Sequence, residues 1–181
     1  GTPYRAIAAD FQNRSLYDIL LVNRDGKLCE LHKALDRDCS LKMITAQDKP
    51  GFQTYERSAL LLMLKAFYDV VGREQVEHIC VEYSLSSALF ILARGSFTLD
   101  QALLDRVEAR MRELSAAAIP IEKQSLSTED AVELFQRCGM PHKAQLLSFR
   151  INSHVNVYSL DGFVDYFYGY MVPDTSYIRC F

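Results

Sequence analysis

No phosphate-binding loop runs anywhere in this 181-residue chain: eight glycines occur, and none opens a G-x-x-x-x-G-K-[ST] run. Without that loop's backbone N–H groups and lysine, the usual cradle for a nucleoside triphosphate is missing. H-E-x-x-H and G-x-S-x-G are absent as well, so neither a zinc-protease helix nor a nucleophile elbow is indicated. Cys29, Cys39, Cys80, Cys138 and Cys180 form an odd, widely spaced set without a C-x-x-C pair. That excludes a zinc ribbon or dithiol motif and leaves reduced cysteines acting as small hydrophobes. No apolar run is long enough to span a bilayer and no signal-peptide pattern opens the chain, so the expectation is a cytoplasmic location and no membrane partner. The formal net charge is only -3. This argues against whole-surface attraction to nucleic acid but leaves room for a local basic patch. Internal repeats, low-complexity tracts and heptads are lacking too.

What is present is apolar material for a core, 49% of residues, arranged with mixed periodicity. Residues 3–12 read as a short helix with Ile7, Ala8 and Phe11 on one side. Tyr17 to Asn23 reads as a strand, Asn23-Arg24-Asp25-Gly26 as a tight hairpin turn, Leu28 to Leu31 as the returning strand and Cys39 to Thr45 as a third. This order suggests a small β-grasp-like unit. Gln47 to Gly51, with Pro50 and Gly51, is the clearest break. A helix is expected from about Gln53 to Val71, with Leu60, Leu61, Leu64, Phe67 and Tyr68 at helical spacing and Gly72 closing it.

Val76 to Tyr83 and Ala88 to Ala93 read as strands around a serine-rich turn. Thr98 is expected to cap the next helix, with Gln101 at the capping-box position and an apolar face of Leu99, Leu103, Val107, Met111 and Leu114. Pro120 to Ser125 reads as a strand. A helix capped by Ser127 follows, then a short helix from Pro141 to Phe149. A strand from Val155 to Ser159 turns back at Leu160-Asp161-Gly162. The fold class is therefore α+β with antiparallel hairpins, divided into residues 1–48 and 49–181. Both ends read as cut: the chain opens on a helix-like stretch and stops at Phe181 in an apolar run, as a piece of something longer would.

Two stretches carry a resemblance. One is Arg57-Ser58-Ala59-Leu60-Leu61-Leu62. The other runs from Gly162 through Phe163, Asp165, Phe167, Gly169 and Met171 to Val172-Pro173, followed by Thr175 and Ile178. Together they are similar to the editing module of threonyl-tRNA synthetases and related alanyl-type editing proteins. That family carries His-x-x-x-His on a helix and Cys-x-x-x-His near the module's end, and residues at i and i+4 share a helix face and can hold one metal. On this sequence the histidines fall at Arg57 and Leu61, the cysteine at Phe167 and the last histidine at Met171. Arginine, leucine and phenylalanine are not ligands, and one methionine is a poor one for zinc. The frame survives and the editing chemistry is not supported, so neither a catalytic residue nor a metal is expected.

Ile7-Ala8, then Ile19-Leu20-Leu21-Val22-Asn23, Asp25-Gly26, Leu28 and Glu30-Leu31 resemble a TGS domain, the β-grasp module that precedes the editing module in threonyl-tRNA synthetase. The usual first hairpin is missing, so residues 1–48 resemble a truncated TGS-like unit and residues 49–181 a degenerate editing-like domain. Bacterial nucleoside kinases of the uridine kinase and phosphoribulokinase type join the same modules in the same order. Tyr55-Glu56-Arg57-Ser58 and Ser84-Leu85-Ser86 resemble that group.

The resemblance implies a non-catalytic accessory or regulatory region of a uridine kinase. The kinase domain would lie beyond this chain as a partner in cis and bring the requirement for ATP and Mg2+; this stretch itself would need no cofactor. The alternatives are an RNA-binding module that grips a tRNA acceptor end, and a metal-free hydrolase. Arg57, Asp165 and Tyr168 are the candidate contacts for a nucleoside, nucleotide or RNA ligand in the remnant cleft. The plainer reading pairs Arg57 with Glu56 or Asp165 and makes Phe167 and Met171 core filling against Leu61. His142-Lys143 at a helix start can touch a phosphate backbone. His32, His78, His142 and His154 otherwise read as surface or structural residues, with no pair at ligand spacing.

Overall fold

The computed structural model describes residues 1–181 except 86, 87 and 152. The first unit is a helix, α1 (Tyr4–Gln12), and the strands β1 (Ile19–Arg24), β2 (Lys27–Glu30) and β3 (Leu41–Thr45). They form an antiparallel sheet in the order β2-β1-β3. Asp25 and Gly26 both take positive φ, 48° and 88°, and Arg24 pairs with Lys27. This is the two-residue mirror-image turn that matches strand twist. A small core holds Tyr4 and Ala8 of α1 against Ile19, Val22, Cys29 and Leu31. Leu20 points the other way and belongs to the larger core of the second part, so β1 packs on both sides.

The helix α2 spans Lys49–Val71, four residues earlier than the apolar spacing predicts. Pro50 sits in its first turn, where the missing N–H would have no helical partner anyway. Gly51 lies inside the helix because the backbone of β3 passes against it: a Cβ there would stand 1.9 Å from the Thr45 carbonyl oxygen. The Pro-Gly pair therefore starts this helix rather than preceding it. Gly72 closes it at φ 91° and donates its N–H to the Tyr68 carbonyl.

An antiparallel ribbon follows, β4 (Val76–Leu85) with β5 (Ala88–Gly95). The centre of the serine-rich turn, including Ser86, lies outside the described residues. The helix α3 is Gln101–Ala116, and its cap is Asp100, whose carboxylate accepts from the Leu103 N–H at 2.8 Å. Thr98 and Leu99 lie before this helix, and Leu99 is 55% exposed. The expected cap was two residues early because a carboxylate nearer the first apolar residue meets the orphan N–H groups better. Leu103, Val107, Met111 and Leu114 are buried as the spacing predicts.

The last sheet is β6 (Glu122–Ser127), β7 (His154–Leu160) and β8 (Phe163–Tyr166), antiparallel in that order. Between β6 and β7 lie α4 (Thr128–Arg137) and α5 (Pro141–Ser148). Ser127 caps α4 by accepting from the Asp130 N–H at 3.0 Å. Asp161 and Gly162, at φ 47° and 76°, repeat the mirror-image hairpin turn. Leu61, Leu62, Phe67, Phe135, Leu147, Tyr158 and Leu160 are among the residues of the large core. Among the described residues no helix is long and apolar enough to cross a membrane.

Candidate functional site

The segment after β8 meets the N-terminal half of α2, as the two matching motifs predict. Ser58 is buried; its hydroxyl donates to the Thr54 carbonyl at 2.7 Å and accepts from the Val172 N–H at 3.0 Å. Its oxygen lies 3.4 Å from the Met171 sulfur. Arg57 donates from Nη1 to the Tyr170 carbonyl at 2.8 Å. The guanidinium packs against Gly169, where a Cβ would come within 2.6 Å of Cζ. Burial pulls the Arg57 guanidinium below its ordinary value, against the opposing pull of Tyr158, Glu56, Glu30 and Tyr170. Its hydrogen-bond partner is a backbone carbonyl, and Asp165 is taken by Lys143.

Leu61 and Met171 are buried in the large core. Phe167 is half-buried: it packs against that core and also lines an open cleft. The expectation of core filling holds only in part: Phe167 packs on the core without being enclosed by it, and with Tyr168 it also forms cleft wall. The four positions thus supply a guanidinium, two hydrocarbon side chains and one thioether. Such a set does not fit a zinc ion. Among the described residues no group of three His, Cys, Asp or Glu side chains could hold a metal.

The cleft, of about 690 Å³, lies between α2, the ribbon, α5 and the end of β8. Asp165 and Tyr168 line it; Arg57 does not. Asp165 is buried, ion-paired with Lys143, and accepts from the Tyr166 N–H at 2.7 Å. Tyr168 is 86% exposed at the mouth. Lining residues that sequence spacing missed are Arg73, His78 and Arg150. The Arg73 guanidinium lies 4.5 Å from the centre of the Tyr68 ring and donates to the Gly139 carbonyl at 2.9 Å. Arg150 sits over Tyr166 at 5.2 Å. The rings of His78 and His142 meet edge-on at 5.7 Å across the cleft. Three cations (Arg73, Lys143, Arg150) face two carboxylates (Glu77, Asp165). With the two imidazoles and the rings of Tyr68, Tyr166, Phe167 and Tyr168, this lining suits a ligand with anionic groups and a flat ring.

No protein-family model matches the chain. Curated proteins do. A threonine–tRNA ligase of Pelobacter propionicus is 31% identical over 161 residues, 87% of this chain and 24% of the ligase. The corresponding figures for that of Azobacteroides pseudotrichonymphae are 25% over 182 residues, 99% of this chain and 28% of the ligase. The Hahella chejuensis enzyme is 30% identical over 158 residues, 87% and 24%. The chain is similar to part of a threonine–tRNA ligase. It spans about a quarter of the length of these relatives. They support the synthetase-related reading of the α+β fold and its editing-like frame, and they lend nothing to a nucleoside-kinase parent.

Proposed function

We propose that this chain is a non-catalytic RNA-binding module related to threonyl-tRNA synthetase, receiving an RNA end in the cleft beside α2. The division at residue 48, a TGS-like first unit, an editing-like second one and a cytoplasmic location belong to this reading. The observation that carries it is the cleft: cationic and aromatic side chains, Phe167 among them, line an open space, while the other three positions matched to metal ligands hold Arg57, Leu61 and Met171. Phosphates pair with Arg73 and Arg150, and bases stack on Tyr168 and Phe167. Binding without turnover is preferred to metal-free hydrolysis because the four polar positions matched to metal ligands are replaced by Arg57, Leu61, Phe167 and Met171.

The test is fluorescence anisotropy with a 3′-labelled tRNA acceptor-stem RNA. Arg150→Ala with Tyr168→Ala should weaken binding about tenfold or more, since one base–aromatic stack alone is worth about 1–3 kcal/mol. Equal affinity of the double variant would remove the cleft from the account.

A second reading rests on one observation, the replacement of all four ligand positions with an arginine at the first. The region would then be an accessory or regulatory part of an ATP- and Mg2+-dependent uridine kinase, holding a nucleoside or nucleotide in the cleft. The sequence following Phe181 discriminates the two, because a phosphate-binding loop there supports the kinase.

A further inference from the structure

Glu30 ends β2 in the first unit and is 1% exposed. Among the described residues, the groups that touch its carboxylate within hydrogen-bond distance all belong to the second unit. Lys123 of β6 donates to Oε2 at 2.9 Å and the Met171 N–H donates to Oε1 at 3.1 Å; the Tyr158 hydroxyl of β7, whose one proton points to the nearer Gly169 carbonyl at 2.6 Å, lies 3.0 Å from Oε1. Within the first unit, His32 faces it at 3.9 Å. A carboxylate this deep is tolerated because both oxygens are occupied and one faces an ammonium.

The same bonds fix a particular piece of chain. From Gly169 to Val172 four consecutive residues are each held by a different side chain. The Gly169 carbonyl accepts from Tyr158 at 2.6 Å, the Tyr170 carbonyl from Arg57, the Met171 N–H donates to Glu30, and the Val172 N–H donates to Ser58. Immediately before it, Tyr166, Phe167 and Tyr168 line the cleft. This segment is therefore a strap, anchored at one end and forming the cleft wall at the other. Three anchors come from the second unit itself. Glu30 is the one from the first.

We propose that Glu30 acts as a latch through which the first unit sets the position of the strap, and with it the Tyr166–Tyr168 wall of the cleft. The first unit then regulates the cleft without lining it. This holds whatever the cleft binds, because it concerns only bonds within the chain. Loss of the latch frees one anchor of four, so the strap loosens while the core stays closed.

The experiment is amide hydrogen exchange on the ligand-free protein, resolved by residue, for wild type, Glu30→Ala and Glu30→Gln. Exchange at Met171 should rise at least tenfold in Glu30→Ala, spread to Tyr168 and Gly169, and leave the amides of Leu61 to Phe67 within twofold. Glu30→Gln keeps an acceptor for the Met171 N–H but loses the charge facing Lys123, so its rise should be smaller. It also keeps the test decisive if the alanine variant does not fold. Unchanged exchange at Met171 in both variants would overturn the proposal. So would an equal rise across α2 and the strap, which would make Glu30 a general structural contact.

Discussion

Leu61 and Phe167 stand at two of the four positions that the resemblance assigns to metal ligands, and they behave as different kinds of residue. Leu61 is fully buried in the large core, so Leu61→Ala should cost about 2–5 kcal/mol. Phe167 forms a cleft wall, so Phe167→Ala should cost less than that and weaken ligand binding instead. Urea midpoints of the two variants check this; a Phe167→Ala loss as large as that of Leu61→Ala would return it to the core. His32 offers a pH test. Burial, the largest cause, with Lys123 and Lys33, holds its imidazole below the ordinary 6.5, against the pull of Glu30. A histidine depressed in the fold takes up more protons when unfolded, so its contribution is present above that ordinary value and is lost as pH falls below it. The urea midpoint should drop between pH 7.5 and pH 5.5, and His32→Asn should shrink the drop. An undiminished drop in that variant would show that other groups carry it.

Helix starts separate local signals from packing. Asp100 caps α3 by accepting from the Leu103 N–H, so Asp100→Ala should lower stability by about 0.5–2 kcal/mol. Thr98→Ala should stay within about 0.5 kcal/mol, as an ordinary surface change does. Thermal unfolding of both decides between the two residues; a larger loss for Thr98→Ala would contradict the geometry. Most of the elements were legible because their signals are local. Asp25-Gly26 and Asp161-Gly162 each specify a hairpin through positive φ, and the Leu103, Val107, Met111, Leu114 spacing marks one helix face. The start of α2 was not legible, because Gly51 answers to the carbonyl of Thr45 on another element. The cleft was only partly so. Asp165 and Tyr168 lie in a recognisable motif, whereas Arg73, His78, His142 and Arg150 sit on separate elements and meet only in the folded chain. Arg57, expected as a cleft contact, lies outside the cleft lining, and its partner is a carbonyl that no residue type announces.

At the scale of the whole molecule, the first sheet and the second unit are joined by buried polar bonds at Glu30 as well as by Leu20 in the large core. That junction sits beside Arg57, Leu61 and Met171, and the residues just before the strap, Tyr166 to Tyr168, line the cleft. The chain is similar to part of a threonine–tRNA ligase, and the proposal is that it holds RNA without hydrolysing it. The direct measurement is one titration of aminoacylated tRNA with the purified chain, following complex formation and ester hydrolysis in the same samples, without added metal and with zinc. The account predicts saturable binding, weakened in the Arg150→Ala, Tyr168→Ala variant, with the ester decaying at its uncatalysed rate in both conditions. Hydrolysis above that rate that is abolished by a substitution in the cleft, or no binding at all, would contradict it.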